Sequence, residues 1–135
     1  MDIQIFTLCD NAQEYNGKLV IVGAFNELSF DKFPAIYPEI SVVARTIIED
    51  EKAEGHDVEL SAFNADTGNE ALMPHFKTRL DTKGNMGQTV YSNLILHMNN
   101  VAIPEKGKYI IKFSIDDTTK EITFVAREQN VQKPE

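Results

Sequence analysis

The stretch KYIIKFSIDDTTKEITFVAR, residues 108–127, predicts a β-hairpin. Apolar and polar side chains alternate on either side of its centre, a period of two that is typical of strands with one face on a core and the other in water. Between the two runs, DDTT at residues 116–119 supplies the polar residues of a turn. We therefore expect an antiparallel pair with these side chains inside: Tyr109, Ile111, Phe113, Ile115, Ile122 and Phe124.

The same alternation recurs outward from this hairpin along the chain. It is clearest in DVELSAF, residues 57–63, and in SVVARTIIE, residues 41–49. Polar segments, most of them containing glycine, separate the runs and favour turns. Pro74 has no N–H to give to a ladder, so the fifth strand is expected to be an edge or to break there. The pattern predicts eight strands: about residues 3–9, 18–25, 41–49, 56–64, 71–80, 90–98, 107–115 and 121–127.

Eight short strands with regular turns indicate an all-β fold, a predominantly antiparallel β-sandwich, with a closed barrel as the alternative. A chain of 135 residues is the size of one domain. We expect that domain to cover residues 1–127 and residues 128–135 to form a flexible tail. Residues 18–25 are apolar on both faces and are expected in a central strand. DNAQEY, residues 10–15, is compatible with a short helical turn capped by Asp10.

Charge and composition disfavour some classes of partner. The chain has 21 acidic and 13 basic side chains, and its net charge of −8 repels nucleic acid and anionic membranes. One cysteine cannot form an internal disulfide, which fits a reducing compartment. The N-terminal MDIQIF has no signal-peptide pattern, and no apolar run approaches the roughly 20 residues of a membrane span. We expect a cytoplasmic protein whose partner is another protein.

Several motifs together resemble a family of small uncharacterised bacterial proteins. They are FTLCDNA at residues 6–12, GKLVIVGAF at 17–25, FPA at 33–35, VAR at 43–45 and NLILHMNNVAIPEKGKYIIKF at 93–113. The first two fit an FTLCD-x-A and GKL-x-I-x-G-x-F pattern. The resemblance covers most of the chain and implies a compact β-sandwich. It implies no activity, so it transfers no functional residues to this sequence.

Cys9 is a candidate nucleophile. A reactive cysteine needs a lowered pKa and usually a histidine base. Asp10 would raise the pKa of a neighbouring thiol, and His56, His75 and His97 are all distant in sequence. We interpret Cys9 as a small buried residue at the end of a strand, and we predict no catalytic residue.

ADTG, residues 65–68, contains the Asp-Thr-Gly triplet of aspartic proteases. In those enzymes the triplet follows an apolar strand and is used in pairs. Here its neighbours are polar and no second motif accompanies it. We interpret the triplet as a turn in which Gly68 adopts a positive φ.

The acidic run at residues 49–59 could bind Ca²⁺, since this cation prefers carboxylate oxygens. Asp116 and Asp117 would join it if their loop lies at the same end of the sandwich. The run has no EF-hand spacing, and one cysteine with three scattered histidines matches no zinc site. We interpret the run as a solvated hairpin tip, and we predict no metal and no cofactor. Its carboxylates are Glu49, Asp50, Glu51, Glu54, Asp57 and Glu59.

HFKTRLDTKGNMGQ, residues 75–88, is the one basic stretch. Lys77, Arg79 and Lys83 oppose only Asp81 in it. The stretch is compatible with a binding loop for an acidic partner or a sugar. We favour an exposed strand followed by a flexible loop.

Aromatic side chains surround DKFPAIYPE, residues 31–39. They are suited to protein or sugar recognition if exposed. We favour a loop that covers the open end of the core, where aromatic side chains are usually found. The residues concerned are Phe25, Phe30, Phe33 and Tyr37.

Four apolar residues fall at outward positions of the predicted strands: Ile47, Phe63, Ile110 and Val125. If several share one sheet face, they form a patch of the kind that marks an interface. We expect a weak homodimer through such a face or through the edge flanked by Pro74. Salt should strengthen it by screening the net charge of −8.

Three function classes remain open. We favour a non-enzymatic module for protein interaction or assembly. The alternative is a β-sandwich that binds a sugar or Ca²⁺. The third class is an enzyme with an unrecognised site, and a buried carboxylate beside His75 or His97 would favour it.

Overall fold

A computed structural model describes residues 1–129 of the chain, and these residues contain nine strands and no helix. The strands are β1 (Asp2–Tyr15), β2 (Lys18–Phe25), β3 (Glu27–Phe30), β4 (Ala35–Ile48), β5 (Gly55–Asn64), β6 (Phe76–Asp81), β7 (Val90–Ile103), β8 (Gly107–Ile115) and β9 (Thr118–Glu128).

The strands form two sheets rather than a closed barrel. Sheet A has four strands in the order β2-β1-β4-β7, and sheet B has five in the order β3-β9-β8-β5-β6. All neighbours are antiparallel except β3 and β9, which pair in parallel. The predicted all-β, predominantly antiparallel β-sandwich is therefore confirmed for the part of the chain that the structure describes.

The core lies between the two sheets. Sheet A contributes alternate residues of β1 and β4, such as Phe6 and Val42, and sheet B contributes β5, β8 and β9. The rings of Phe6 and Phe113 meet across the core with centroids 5.7 Å apart. Five of the six predicted inward side chains of the β8–β9 hairpin are buried, and the sixth, Ile122, is half-buried and packs against them.

Two predicted elements near the N-terminus are wrong. Residues 10–15 continue β1 as an extended strand instead of forming a helical turn. β2 is at the edge of sheet A instead of its centre. The apolar residues on both faces of β2 predicted a central strand, but only one of these faces is covered, by sheet A itself, and the other remains in solvent.

The remaining strands differ from the predicted ones in number and in length. β3 was not predicted, because its four residues are too short to show a period. β4 and β7 are longer than expected, with 14 residues each. The fifth predicted strand shortens to β6, which is an edge strand and begins after Pro74, as its missing N–H requires.

The aromatic residues around residues 31–39 pack against the core, as predicted. Phe25 contacts Tyr37 and Phe124, and Phe30 contacts Phe33 and Tyr37, with ring centroids 5.6–6.3 Å apart. The segment therefore closes one part of the sandwich.

The C-terminal end of β9 is hydrogen-bonded to the end of β3. β9 runs to Glu128, one residue into the predicted tail, and the Gln129 backbone N–H donates to the Phe30 carbonyl oxygen at 2.7 Å. Residues 130–135 of that tail lie outside the described residues.

Candidate functional site

The β1–β2 hairpin lies across the outer face of sheet A. The β1–β4 ladder ends at the Cys9–Ser41 pair, and the hairpin then reaches the middle of β4 and β7. At its tip, the Gly17 carbonyl oxygen accepts hydrogen bonds from Arg45 Nη1 at 3.4 Å and Asn93 Nδ2 at 3.2 Å. Arg45 and Asn93 are partners in the β4–β7 ladder. The hairpin thus folds back over the sheet instead of extending beyond its end.

The inner face of the hairpin closes a second, smaller hydrophobic cluster on the outside of sheet A. Its members are Cys9, Ala12, Leu19, Ile21, Val43 and Ile95. Because successive side chains of a strand point to opposite faces, burying this set turns the remaining side chains of the hairpin outward.

The outer face of the hairpin exposes three large apolar side chains. Tyr15, Val20 and Val22 are 68%, 48% and 56% exposed. Val20 lies opposite Gln13 and Val22 opposite Asn11 in the β1–β2 ladder, so the valines share their face with polar neighbours. We call Tyr15, Val20 and Val22 the hairpin surface. Adjacent apolar side chains left in solvent are typical of an interaction surface.

Among the strands of residues 1–129, β1 is the only neighbour of β2, so in this part of the chain one side of the β2 backbone is unpaired. Free N–H and C=O groups of an edge strand are a template for another strand. Lys18 is the only charged residue of β2. Gly23 has a φ of +69°, and a Cβ there would lie 2.5 Å from Asp10 Oδ2. The regular part of this edge is therefore residues 18–22, which we call the β2 edge.

Cys9 is fully buried beneath the hairpin, which confirms the predicted burial. Its Sγ lies 3.4 Å from the Asn11 carbonyl oxygen and 3.7 Å from that of Ser41. Burial, and then the negative charge of Asp10, raise the pKa of the thiol. An activated nucleophile needs the opposite shift and an accessible sulfur.

Ser41, His97 and Glu39 form a chain of hydrogen bonds beside the hairpin. Ser41 Oγ lies 2.9 Å from His97 Nδ1, and His97 Nε2 lies 3.0 Å from Glu39 Oε1, which also accepts from Asn11 Nδ2 at 3.2 Å. The serine is fully buried, and its backbone lies between ladders to β1 and β7. A serine buried in this way is not accessible to an acyl group. The chain links β1, β4 and β7.

A charge cluster with two buried members, Glu51 and His56, and one exposed member, Asp116, joins two loops at one end of the sandwich. Glu51 and His56 are only 2% and 5% exposed. His56 Nε2 lies 2.7 Å from Glu51 Oε2, and its Nδ1 lies 2.5 Å from Asp116 Oδ2. The Ala53 backbone N–H donates to Glu51 Oε1 at 2.8 Å, and that of Asp57 donates to Asp116 Oδ1 at 2.9 Å. We call this the Glu51–His56–Asp116 cluster.

Hydrogen bonding overrides burial in this cluster. Burial alone would raise the pKa of Glu51, but the Ala53 N–H and the His56 ring lower it to about 2. Burial would lower the pKa of His56, but Asp116 and Glu51 raise it. The pKa of Asp116 is lowered, because bonds from His56 and the Asp57 N–H outweigh burial. An imidazolium thus donates to two carboxylates.

The cluster engages carboxylates that the sequence suggested for Ca²⁺. Both oxygens of Glu51 and both oxygens of Asp116 accept hydrogen bonds. Asp57 pairs with Arg79 at 2.8 Å. Within residues 1–129, no group of three or more His, Cys, Asp or Glu side chains is placed to hold a metal ion. The buried carboxylate lies beside His56, whereas the carboxylates beside His75 and His97, those of Glu59 and Glu39, are half-buried.

The motifs of this chain match one family along most of its length. Residues 4–126 match DUF6941, a family of unknown function. The chain belongs to that family. This confirms the predicted membership of an uncharacterised family with no assigned activity. No curated protein matches the chain.

The DUF6941 match spans both the hairpin surface and the Glu51–His56–Asp116 cluster.

In residues 1–129 there is no helix long and apolar enough to cross a membrane.

The Asp-Thr-Gly triplet forms a turn, as predicted. The backbone N–H groups of Asp66 and Thr67 donate to Asn64 Oδ1 at 2.8 and 3.1 Å. Gly68 has a φ of +74°.

The basic stretch begins as the exposed edge strand β6, as predicted. The loop that follows is held by backbone hydrogen bonds to the acidic run: Thr82 N–H to the Glu54 carbonyl oxygen and Gly87 N–H to that of Glu51, both at 2.8 Å. These bonds place the loop against the Glu51–His56–Asp116 cluster.

Three of the four predicted outward residues share the outer face of sheet B. Phe63 lies opposite Ile110, and Val125 lies on the neighbouring strand on the same face. All three are half-buried, and Ile47 belongs to sheet A. Lysine and glutamate side chains of the same strands interrupt this face.

A cleft of about 100 Å³ opens between the sheets where β6 faces β7. Val58, Leu80, Leu94 and Phe113 line it with the buried Thr46. Ligand pockets usually enclose about 300–1,000 Å³, so this cleft is small for a sugar.

Proposed function

We propose that this protein is a non-enzymatic protein-interaction module that binds its partner through the hairpin surface. The observation that carries the proposal is the exposure of Tyr15, Val20 and Val22 on a hairpin whose opposite face is buried. A loop can leave apolar side chains in solvent by chance. Here the hairpin is held in place by a packed cluster and by Arg45 and Asn93, so the exposed side chains have a fixed arrangement.

Rigid presentation favours binding because less conformational entropy is lost when the partner docks. An aromatic residue beside two β-branched residues supplies apolar contact at low cost in side-chain freedom. The polar residues Asn11, Gln13 and Lys18 surround them, in the manner of an apolar centre with a polar rim.

The size of the surface suggests a weak or transient complex. From their exposed fractions, the three residues offer roughly 300 Å² of surface, which is comparable to the largest, often functional, apolar patch of a typical monomer. A stable interface buries about 800 Å² on each partner. The β2 edge, next to the hairpin surface, would supply part of the remainder.

We further propose that the partner is a protein and that the complex forms in the cytoplasm. The net charge of −8 opposes binding to nucleic acid and to anionic membranes. The unpaired Cys9 thiol fits a reducing compartment.

The test is capture by immobilised protein from a lysate of the source organism. Wild type should retain a partner, and the double variant Val20→Lys/Val22→Lys should retain at least about tenfold less, since charge at the centre of an interface is strongly unfavourable. Met86→Lys is the matched control, because Met86 is 53% exposed and lies in the β6–β7 loop. Equal retention by wild type and the double variant would contradict the proposal, as would the absence of any retained protein.

A further inference from the structure

We propose that the β2 edge pairs with the β2 edge of a second copy of this chain. The two strands would run antiparallel across a twofold axis near Val20, joining the two copies of sheet A into one sheet of eight strands. This inference rests on the proposed function, because it names the partner of the same surface.

The β2 edge is less protected than the other edges, because its one charged residue, Lys18, is at its first position and the four residues that follow are all apolar. β3 has only four residues. β6 begins after Pro74 and carries Lys77 and Arg79, and charged side chains and proline both discourage pairing at an edge. β7 is also an edge, but its first half lines the cleft shared with β6, and Asn100 interrupts its second half with a φ of +52°.

The residues of the β2 edge are complementary to themselves, as a twofold interface requires. In a pairing centred on Val20, this residue lies opposite its own copy and Val22 lies opposite Lys18 of the partner. The exposed valines of both copies then share one face of the joined sheet, with Tyr15 beside them on β1. Lateral contact between these cross-strand side chains would bury part of their surface and add to the new backbone hydrogen bonds.

Charge also favours a second copy at this position. Two chains with a net charge of −8 repel each other, but residues 18–25 contain no carboxylate. The one charge, Lys18, is at the start of the strand, and the Asp10 carboxylate lies against Gly23 near its other end. Antiparallel pairing brings each lysine toward the end of the partner strand where that aspartate lies, which is the complementary arrangement.

Sedimentation velocity from micromolar to millimolar protein tests the inference. Wild type should dimerise with rising concentration and more strongly with added salt, because salt screens the repulsion between the chains. Val20→Lys should weaken dimerisation at least about tenfold, since it places like charges opposite each other in a sheet. Val22→Lys should act in the same direction, and Met86→Lys should change the dissociation constant less than about twofold. Circular dichroism would establish that each variant is folded.

Hydrogen exchange then separates strand pairing from other dimers. Those amides of residues 19–22 that point away from β1 should gain protection as the dimer forms. A dimer without this protection, or one that survives Val20→Lys, would overturn the inference. So would a wild-type protein that stays monomeric at every concentration and salt level. If that monomeric protein still captured a partner that Val20→Lys/Val22→Lys loses, the proposed function would stand and only the second copy would be excluded.

Discussion

Replacing Glu51 by glutamine is expected to lower the free energy of unfolding by about 3 kcal/mol at pH 6. The pKa of this carboxyl falls from its ordinary 4.5 to about 2 in the folded chain, and each pKa unit corresponds to about 1.4 kcal/mol. Glutamine keeps the shape of the side chain but removes its charge, which leaves the His56 imidazolium with one carboxylate. Removing one member of a buried ion pair typically costs about 3–5 kcal/mol, in agreement with this figure.

The pH dependence of this loss has a definite sign. A carboxyl whose pKa is lowered on folding stabilises the protein above its unfolded pKa, and that contribution is lost as pH falls through the folded value. The difference in unfolding free energy between wild type and Glu51→Gln should therefore be complete above about pH 4.5 and disappear near pH 2.

Urea unfolding at pH 6, 4 and 3, followed by circular dichroism, measures this difference. Glu49→Gln is the matched control, because Glu49 is an exposed carboxylate of the same acidic run. It should change the unfolding free energy by less than about 0.5 kcal/mol. If Glu51→Gln were no more destabilising than the control, or if its effect were the same at pH 6 and pH 3, the account of the Glu51–His56–Asp116 cluster would be refuted.

Three other predictions follow from the same structure. The pKa of His56 is raised in the folded protein, so its contribution to stability is complete below about pH 6.5 and is lost as pH rises through the pKa of the folded state. Between pH 6 and 9, the melting temperature should therefore fall less for His56→Gln than for wild type or for the control His75→Gln. A thiol reagent should label Cys9 slowly in native protein and rapidly in urea, and rapid native labelling would contradict its burial. Gly23→Ala should lower the melting temperature more than Gly17→Ala. Both glycines have a positive φ, but only at Gly23 would the new Cβ meet a carboxylate oxygen. Equal losses of melting temperature would count against that contact.

The inner faces of the sheets could be predicted from the sequence because their pattern is local. Tyr109, Ile111 and Phe113 occupy every second position of a run whose intervening residues are mostly polar, and this pattern is typical of a strand with one face in a core. Turn residues such as Gly68 were predictable for a related reason, since glycine tolerates positive φ without strain.

The candidate surface could not be predicted because it depends on strand order. A strand that is apolar on both faces is usually central, and nothing in residues 18–25 indicates that β2 lies at an edge. The fold-back of the hairpin requires Arg45 and Asn93 to reach Gly17, which are contacts between distant parts of the chain.

The Glu51–His56–Asp116 cluster could not be predicted either, because it also depends on contacts between distant parts of the chain. Glu51 lies five residues from His56 but sixty residues separate His56 from Asp116, and only the β5–β8 pairing brings them together. In the sequence Glu51 is one of six acids in a polar run, with no signal that distinguishes the buried carboxylate from its exposed neighbours.

Photo-cross-linking from position 20 would show directly whether the hairpin surface is an interface. A benzophenone attached to the Val20→Cys variant would be irradiated in the purified protein and in a lysate of the source organism. The Met86→Cys variant, labelled in the same way, is the control. The Cys9 thiol is buried and should not compete for the label. We expect a discrete adduct from position 20, of the chain with itself or with one partner protein, and none from position 86. The same adducts from both positions, or none from position 20, would contradict it.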